Sequence, residues 1–215
     1  MNKNETLKRM LDERVVAVVR MSDRQKVGCV IDALARGGIG CIEITMTVPG
    51  AIDVIAERAS AAGEGIVLGA GTVTDAVAAQ SAVRAGARFI VSPIFDSSIV
   101  RMCQKLDVVC VPGCYSPSEI FSAWGAGADI VKVFPARNLG PKYLKDLSGP
   151  FPNIRLMPTG GVSVDNAAEW IAAGAAAVGI GGELVDKKAV AEGRFDVLTA
   201  KAETLLANIR RATAA

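Results

Sequence analysis

Short β-branched apolar runs recur along the whole chain, with segments of helical period between them. The runs are 15–20, 41–46, 66–71, 88–93, 108–113, 129–135, 154–161 and 177–182, eight in all. Most are continuously apolar rather than alternating, the mark of strands covered on both faces, as in a parallel sheet. Between them, 22–36, 50–62, 75–85, 96–105, 117–126, 140–148 and 165–173 are rich in Ala, Leu, Arg and Glu and predict helices. One junction repeats, at Ala85-Gly86-Ala87, Ala126-Gly127-Ala128 and Ala173-Gly174-Ala175. Each reads as a helix end, a glycine just past it, and the start of a strand. Successive runs begin roughly 20 to 26 residues apart, the size of one short βα unit.

Strands that alternate with helices build either a doubly wound sheet or a closed (β/α)8 barrel. A count of eight with even spacing favours the barrel. A doubly wound fold would carry a glycine fingerprint after its first strand, and Arg20-Met21-Ser22-Asp23 stands there instead. No Ser/Gly/Pro-rich linker or charge run divides the chain. We therefore expect one α/β domain over 1–215, a single TIM barrel with an extra N-terminal helix in 1–14 and a C-terminal helix over 196–213.

Composition narrows the chemistry. Of 215 residues, 24 are Lys or Arg and 22 Asp or Glu, a net charge of +2, so the basic excess of a nucleic-acid module is missing. There is no histidine, which excludes a Ser-His-Asp triad, a Cys-His dyad, a histidine base and any His-ligated zinc. The five cysteines, Cys29, Cys41, Cys103, Cys110 and Cys114, form no C-x-x-C pair and read as reduced core residues of a cytoplasmic protein. No apolar secretory segment opens the sequence, and no apolar run approaches the roughly 18 residues that would cross a bilayer. No membrane partner is expected.

Barrels of this class work at the C-terminal ends of their strands. Arg88, Asp129 and Arg155 sit at strand starts and belong to the opposite end. Three charges remain: Arg20 ending the first strand, Glu43 within the second and Lys132 within the sixth. A lysine in Ile130-Val131-Lys132-Val133-Phe134 is costly to bury as an ammonium. Desolvation lowers its pKa and leaves a neutral amine, which is what Schiff-base formation with a ketone requires. The competing reading is a structural Lys132–Glu43 ion pair, a poor stabilising device because desolvation cancels most of its attraction. Glycine-rich ends follow strand seven (Thr159-Gly160-Gly161-Val162-Ser163) and strand eight (Gly179-Ile180-Gly181-Gly182), where such barrels bind phosphate through backbone N–H groups. In Gly69-Ala70-Gly71-Thr72-Val73, Thr72 is a candidate for a substrate carboxylate.

These residues, in this order, resemble the 2-dehydro-3-deoxy-6-phosphogluconate / 4-hydroxy-2-oxoglutarate (KDPG/KHG) aldolase family of class I aldolases. The matching stretches are 15–20, Ile42-Glu43-Ile44-Thr45, Gly69–Val73, Val91-Ser92-Pro93, Val111-Pro112-Gly113, Val131–Ala136, Gly149–Asn153 and Pro158–Val162. The lysine stretch combined with Glu-Ile-Thr and Pro-Thr-Gly-Gly is the specific part. The resemblance implies a pyruvate-dependent lyase that needs no metal and no cofactor, assembled as a homotrimer. It implies Lys132 as the Schiff-base residue and Glu43 as general acid/base. Arg20 and Thr72 would hold the pyruvyl carboxylate, with Thr45 and Thr47 also at the substrate. Pro93, Phe134 and Thr159 would wall the pocket, and Gly160, Gly161, Gly181 and Gly182 would donate to the substrate phosphate. Two departures stand out: Thr47 replaces an arginine of some relatives, and Glu183 follows the second glycine pair where several carry serine.

The expected reaction is cleavage of 2-dehydro-3-deoxy-6-phosphogluconate to pyruvate and glyceraldehyde 3-phosphate, with 4-hydroxy-2-oxoglutarate as a further substrate. The galactonate epimer is an alternative for the same chemistry. A reading of a different class is a catalytically silent barrel that holds a phosphate on its glycine turns.

Overall fold

The computed structural model describes residues 1–61 and 65–214. Its strands are β1 (Val15–Val19), β2 (Cys41–Thr45), β3 (Val67–Gly71), β4 (Phe89–Val91), β5 (Val109–Val111), β6 (Gly113–Cys114), β7 (Val131–Val133), β8 (Leu156–Pro158) and β9 (Val178–Ile180). Its helices are α1 (Lys3–Glu13), α2 (Val27–Arg36), α3 (Ala51–Ala61), α4 (Ala76–Arg84), α5 (Ser97–Lys105), α6 (Pro117–Gly125), α7 (Gly140–Ser148), α8 (Ala167–Ala172), α9 (Lys187–Ala191) and α10 (Phe195–Ala214).

All pairings are parallel, in a six-stranded sheet of order β5-β4-β3-β2-β1-β9 and a three-stranded sheet of order β6-β7-β8. The result is a curled parallel sheet with helices outside it. Hydrogen bonds cross both gaps between the two sheets. The Cys110 carbonyl accepts from the amides of Asp129 (3.1 Å) and Ile130 (3.4 Å) at one, and the Leu156 carbonyl accepts from Ala176 (2.9 Å) at the other. A bridge between Thr159 and Gly179 extends the second seam.

Several boundaries differ from the sequence reading. The run 108–113 is two strands rather than one, broken at Pro112, which has no N–H to give to a ladder. The strands expected over 129–135, 154–161 and 177–182 are only three residues long, because their ends turn into the loops that carry the glycines and Phe134. The helix expected over 22–36 starts only at Val27, after a 3-10 turn at Arg24–Lys26 that Asp23 caps. The helix α9 has no counterpart in the apolar pattern; five residues are too few for a period to show. Residue 62 of the helix expected over 50–62, and residue 215 of the expected domain, lie outside the described residues.

Strand alternation divides the core in two. Val15, Ala17 and Val19, Ile42 and Ile44, Leu68 and Ala70, Val131 and Val133 pack against the helices. Val16, Cys41, Val67, Phe89, Val91, Val109, Val111, Ile130, Met157 and Ala177 form a second cluster inside the curl, joined by Met10 of α1. Helix α1 covers the ends where the strands begin. Glu13 accepts from the amides of Gly40 (2.8 Å) and Cys41 (2.9 Å), and Lys3 pairs with Asp129 at 3.0 Å.

Candidate active site

The alternation that sends Ile42 and Ile44 outward turns Cys41, Glu43 and Thr45 inward, and the alternation of Val131 and Val133 does the same for Lys132. Space for these side chains comes from glycines at inward positions of neighbouring strands. A Cβ on Gly71 of β3 would collide with the Glu43 carboxylate, one on Gly69 with the Phe89 ring, and one on Gly179 of β9 with Thr159. The interior is therefore shaped by what those three positions lack.

Glu43 is 1% exposed and Lys132 5% exposed. Among the described residues, no ion pair closer than 4.0 Å joins them. Glu43 Oε2 and Thr159 Oγ1 are both buried without a hydrogen-bond partner. An unpaired buried acceptor costs roughly 1–3 kcal/mol, more when charged, so its presence calls for a reason. Burial pushes the Glu43 carboxyl above the usual carboxylate range, an effect that the charges of Lys132 and then Arg20 oppose. Burial also draws Lys132 down from the usual lysine range; Glu43 opposes this and Arg20 adds to it. The lysine Nζ stands over the Phe134 ring, 4.8 Å from its centroid. A lysine drawn toward its neutral form and a carboxyl drawn toward its protonated one, both buried in the same interior, suit imine formation with a ketone and the movement of protons around it.

Around this pair the other expected residues meet at the C-terminal ends of the strands. Arg20, just past β1, donates to Thr72 Oγ1 at 2.9 Å. Thr72 follows β3 with φ 56°, a left-handed conformation uncommon for a residue with a Cβ. The Thr45 and Thr47 hydroxyls are 2.8 Å apart, with Thr45 buried and Thr47 at the surface. A cleft of about 570 Å³ opens beside Arg20 and Thr47. Pro93 follows β4 and Phe134 follows β7; Phe134 leads into a cis bond with Pro135. Gly160 and Gly161 follow β8 at φ 83° and 92°, and the Arg137 Cα lies only 2.7 Å from where a Gly161 Cβ would be. Gly181 and Gly182 follow β9. Among the described residues no acceptor takes the amide protons of Gly161, Val162, Gly182 or Glu183. Backbone N–H groups left open on adjacent turns suit an anion. Glu183 is exposed. The described residues hold no group of three His, Cys, Asp or Glu able to bind a metal, and none of their helices is long and apolar enough to cross a membrane.

The sequence reading missed the spatial role of Gly69, Gly71 and Gly179. Their signal was present, since each occupies the inward phase of its strand, opposite an apolar outward neighbour. That Arg20 and Thr72 work together came only from the family resemblance; the structure adds that they are hydrogen-bonded across 52 positions of sequence.

Fold and site together define an aldolase of the lysine-imine class. Comparison with known proteins makes this specific. Residues 6–201 match the family described as KDPG and KHG aldolase. The chain is 35% identical over 194 residues to the 2-dehydro-3-deoxy-phosphogluconate aldolase of Treponema pallidum (strain Nichols), covering 90% of this chain and 92% of that one. It is 36% identical over 159 residues to the 2-dehydro-3-deoxy-6-phosphogalactonate aldolase of Escherichia coli (strain K12), covering 74% and 76%. It superimposes with a TM-score of 0.86 at 29% identity on the KDPG aldolase of Legionella pneumophila, solved with pyruvate captured as a covalent carbinolamine, over 93% of this chain and 97% of that one. The chain belongs to the KDPG and KHG aldolase family.

The shifts of the buried pair fix a sign for pH dependence. Glu43 accepts a proton only when ionised, so exchange of pyruvate methyl protons should decline as pH falls through its raised pKa. Glu43→Gln should slow that exchange by about 10² or more and abolish the limb, read by NMR in deuterated buffer. An unchanged rate would remove Glu43 from proton transfer.

Proposed function

We propose that the chain cleaves 2-dehydro-3-deoxy-6-phosphogluconate to pyruvate and glyceraldehyde 3-phosphate, and 4-hydroxy-2-oxoglutarate to pyruvate and glyoxylate, through an imine on Lys132. The observation that carries this is a buried lysine with a lowered pKa beside a buried carboxylate oxygen that has no protein partner. The Lys132 amine, in its neutral form, attacks the C2 carbonyl. Glu43, in its protonated form, gives its proton to the carbinolamine hydroxyl, which leaves as water, so that a protonated imine faces an ionised Glu43. Glu43 takes the proton of the C4 hydroxyl, the C3–C4 bond breaks, and its electrons neutralise the imine as an enamine while the aldehyde departs. Glu43 then returns the proton to C3, and water releases pyruvate and the free amine.

Arg20 and Thr72, already joined, would hold the C1 carboxylate, with Thr45 and Thr47 bordering it. Pro93, Phe134 and Thr159 would enclose the carbon chain. The open amides around Gly160, Gly161, Gly181 and Gly182 would receive the phosphate. The galactonate epimer is a close variant for the same residues, because it differs only at the carbon whose hydroxyl is deprotonated.

We also read the curled sheet and its two seams as one closed (β/α)8 barrel, with α1 as its extra helix and the whole of 1–215 as one domain. We also propose a homotrimer, supported by large apolar side chains that are left exposed and that a neighbouring copy would cover, Ile94 (48%), Tyr115 (42%) and Phe121 (60%) among them. The cytoplasm is the setting that the unpaired cysteine spacing favours.

Borohydride reduction with pyruvate should add one reduced pyruvyl group, mapped to Lys132 by mass spectrometry, and Lys132→Met should fold but take none. No adduct on the folded parent would make Lys132 structural and leave the silent phosphate-binding barrel as the better reading. Closure should give slow hydrogen exchange at the amides of both Ile130 and Ala176, one per seam; fast exchange at either would open the barrel. Sedimentation equilibrium should report three copies of the 22.3 kDa chain, a result that a monomer would contradict.

A further inference from the structure

The helix α10 reaches both glycine turns from one side. Lys201 and Asn208 are seven residues apart (208 − 201), close to two helical turns, and so share a face. Lys201 Nζ donates to the Glu183 carbonyl at 3.1 Å and to Asp186 Oδ2 at 3.0 Å. Asn208 Nδ2 donates to the Val164 carbonyl at 3.1 Å. Glu183 lies in the turn that follows Gly181 and Gly182, and Val164 in the turn that follows Gly160 and Gly161.

Each turn is ordered within itself. Asn166 Nδ2 donates to the Gly161 carbonyl at 3.0 Å, and the Gly181 carbonyl accepts from Leu184 and Val185 at 2.9 and 2.8 Å. The Thr159–Gly179 bridge ties the two segments where they leave the sheet. Beyond it, among the described residues, no hydrogen bond joins one turn to the other, so a third element can set how far apart their glycines stand. Helix α10 also has an anchor away from both turns, on α2. Leu198, Ala202, Leu205 and Ile209 are buried, Thr199 Oγ1 donates to the Ala33 carbonyl at 2.9 Å, and a Cβ on Gly37 would lie 2.5 Å from that of Ala202.

We infer that Lys201 and Asn208 are positioning residues for the anionic end of the substrate, setting, beyond the Thr159–Gly179 bridge, how far apart the two turns hold the open amides that receive it. The inference rests on the phosphate reading of those turns given above. The role of Lys201 is geometric more than Coulombic, because Asp186 balances its charge. Asp186 caps α9 by accepting from the amides of Lys188 and Ala189, and these bonds together with Lys201 hold its carboxyl down at about 2, so it stays ionised. Lys201 is thus anchored by a carboxylate on one side while it holds a peptide carbonyl on the other. Neither it nor Asn208 is adjacent in sequence to any residue of the imine chemistry.

The test is steady-state kinetics of the full-length parent, Lys201→Met, Lys201→Arg and Asn208→Ala. The substrates are 2-dehydro-3-deoxy-6-phosphogluconate and its unphosphorylated counterpart, with pyruvate methyl proton exchange measured alongside. Lys201→Met and Asn208→Ala should each raise KM for the phosphorylated substrate about tenfold, the scale of one lost hydrogen bond that involves a charge or a buried carbonyl. The expected kcat, the KM for the unphosphorylated substrate and the exchange rate stay within about twofold of the parent, and Lys201→Arg restores the KM. Unchanged KM in both variants, with a parent that prefers the phosphorylated substrate, would overturn the positioning role alone. A parent with no preference would remove the phosphate reading and this inference with it. Exchange that falls in step with KM in both variants would make α10 a general prop and overturn the assignment as well.

Discussion

Placing an ammonium and a carboxylate inside an apolar sheet is the constraint around which this structure is organised. Each charge loses water, and the effective penalty is several kcal/mol per ion even after relaxation. Lys132 and Glu43 do not recover it from each other as a close ion pair, and Glu43 Oε2 recovers nothing from any hydrogen bond. The protein carries the cost as shifted ionisation: the lysine is drawn toward its neutral form and the carboxyl toward its protonated one. Most of the remaining buried residues are apolar, so stability lost at the centre is offset by burial elsewhere. A small domain with an excess of a few kcal/mol tolerates one such pair, not several.

That constraint explains where the glycines are. Long inward side chains need volume, and in a curled sheet the only volume available is that of a neighbour's missing side chain. Gly71 yields to Glu43, Gly69 to Phe89 and Gly179 to Thr159. These glycines have no unusual backbone angles, so their purpose is space rather than conformation. Gly160 and Gly161 are the contrasting case, where positive φ turns the chain and opens amides to the mouth.

The alternation of Ile42 and Ile44 around Glu43, and of Val131 and Val133 around Lys132, made both charged residues legible as inward, mid-strand groups before any coordinates. The parallel arrangement and the grouping of Arg20, Thr72, Thr159 and the glycine turns at one end followed from the βα rhythm. Other features were not legible, for physical reasons. The break at Pro112 depends on a single missing N–H within an otherwise good strand. Helix α9 is too short to have a period. The bond from Arg20 to Thr72, and the reach of Lys201 and Asn208 to two separate turns, join residues distant in sequence, which one chain's local pattern does not encode. The lowered pKa of Lys132 was argued from its apolar neighbours, whereas the part played by Arg20 in lowering it further needed the geometry.

The seal formed by α1 has a consequence for where protons travel. Met10 closes the interior at one end, with Leu7 and Leu11 packed against the same cluster, and Glu13 occupies the amides of Gly40 and Cys41. Among the described residues the interior is covered on the side where the strands begin, so a substrate seated at the opposite end would stand between Glu43 and bulk water. Under the proposed reaction, a hydrogen passed from the departing fragment to the carboxyl would then return to the carbon left on the lysine rather than be replaced from solvent, the course expected of a vessel closed at its base.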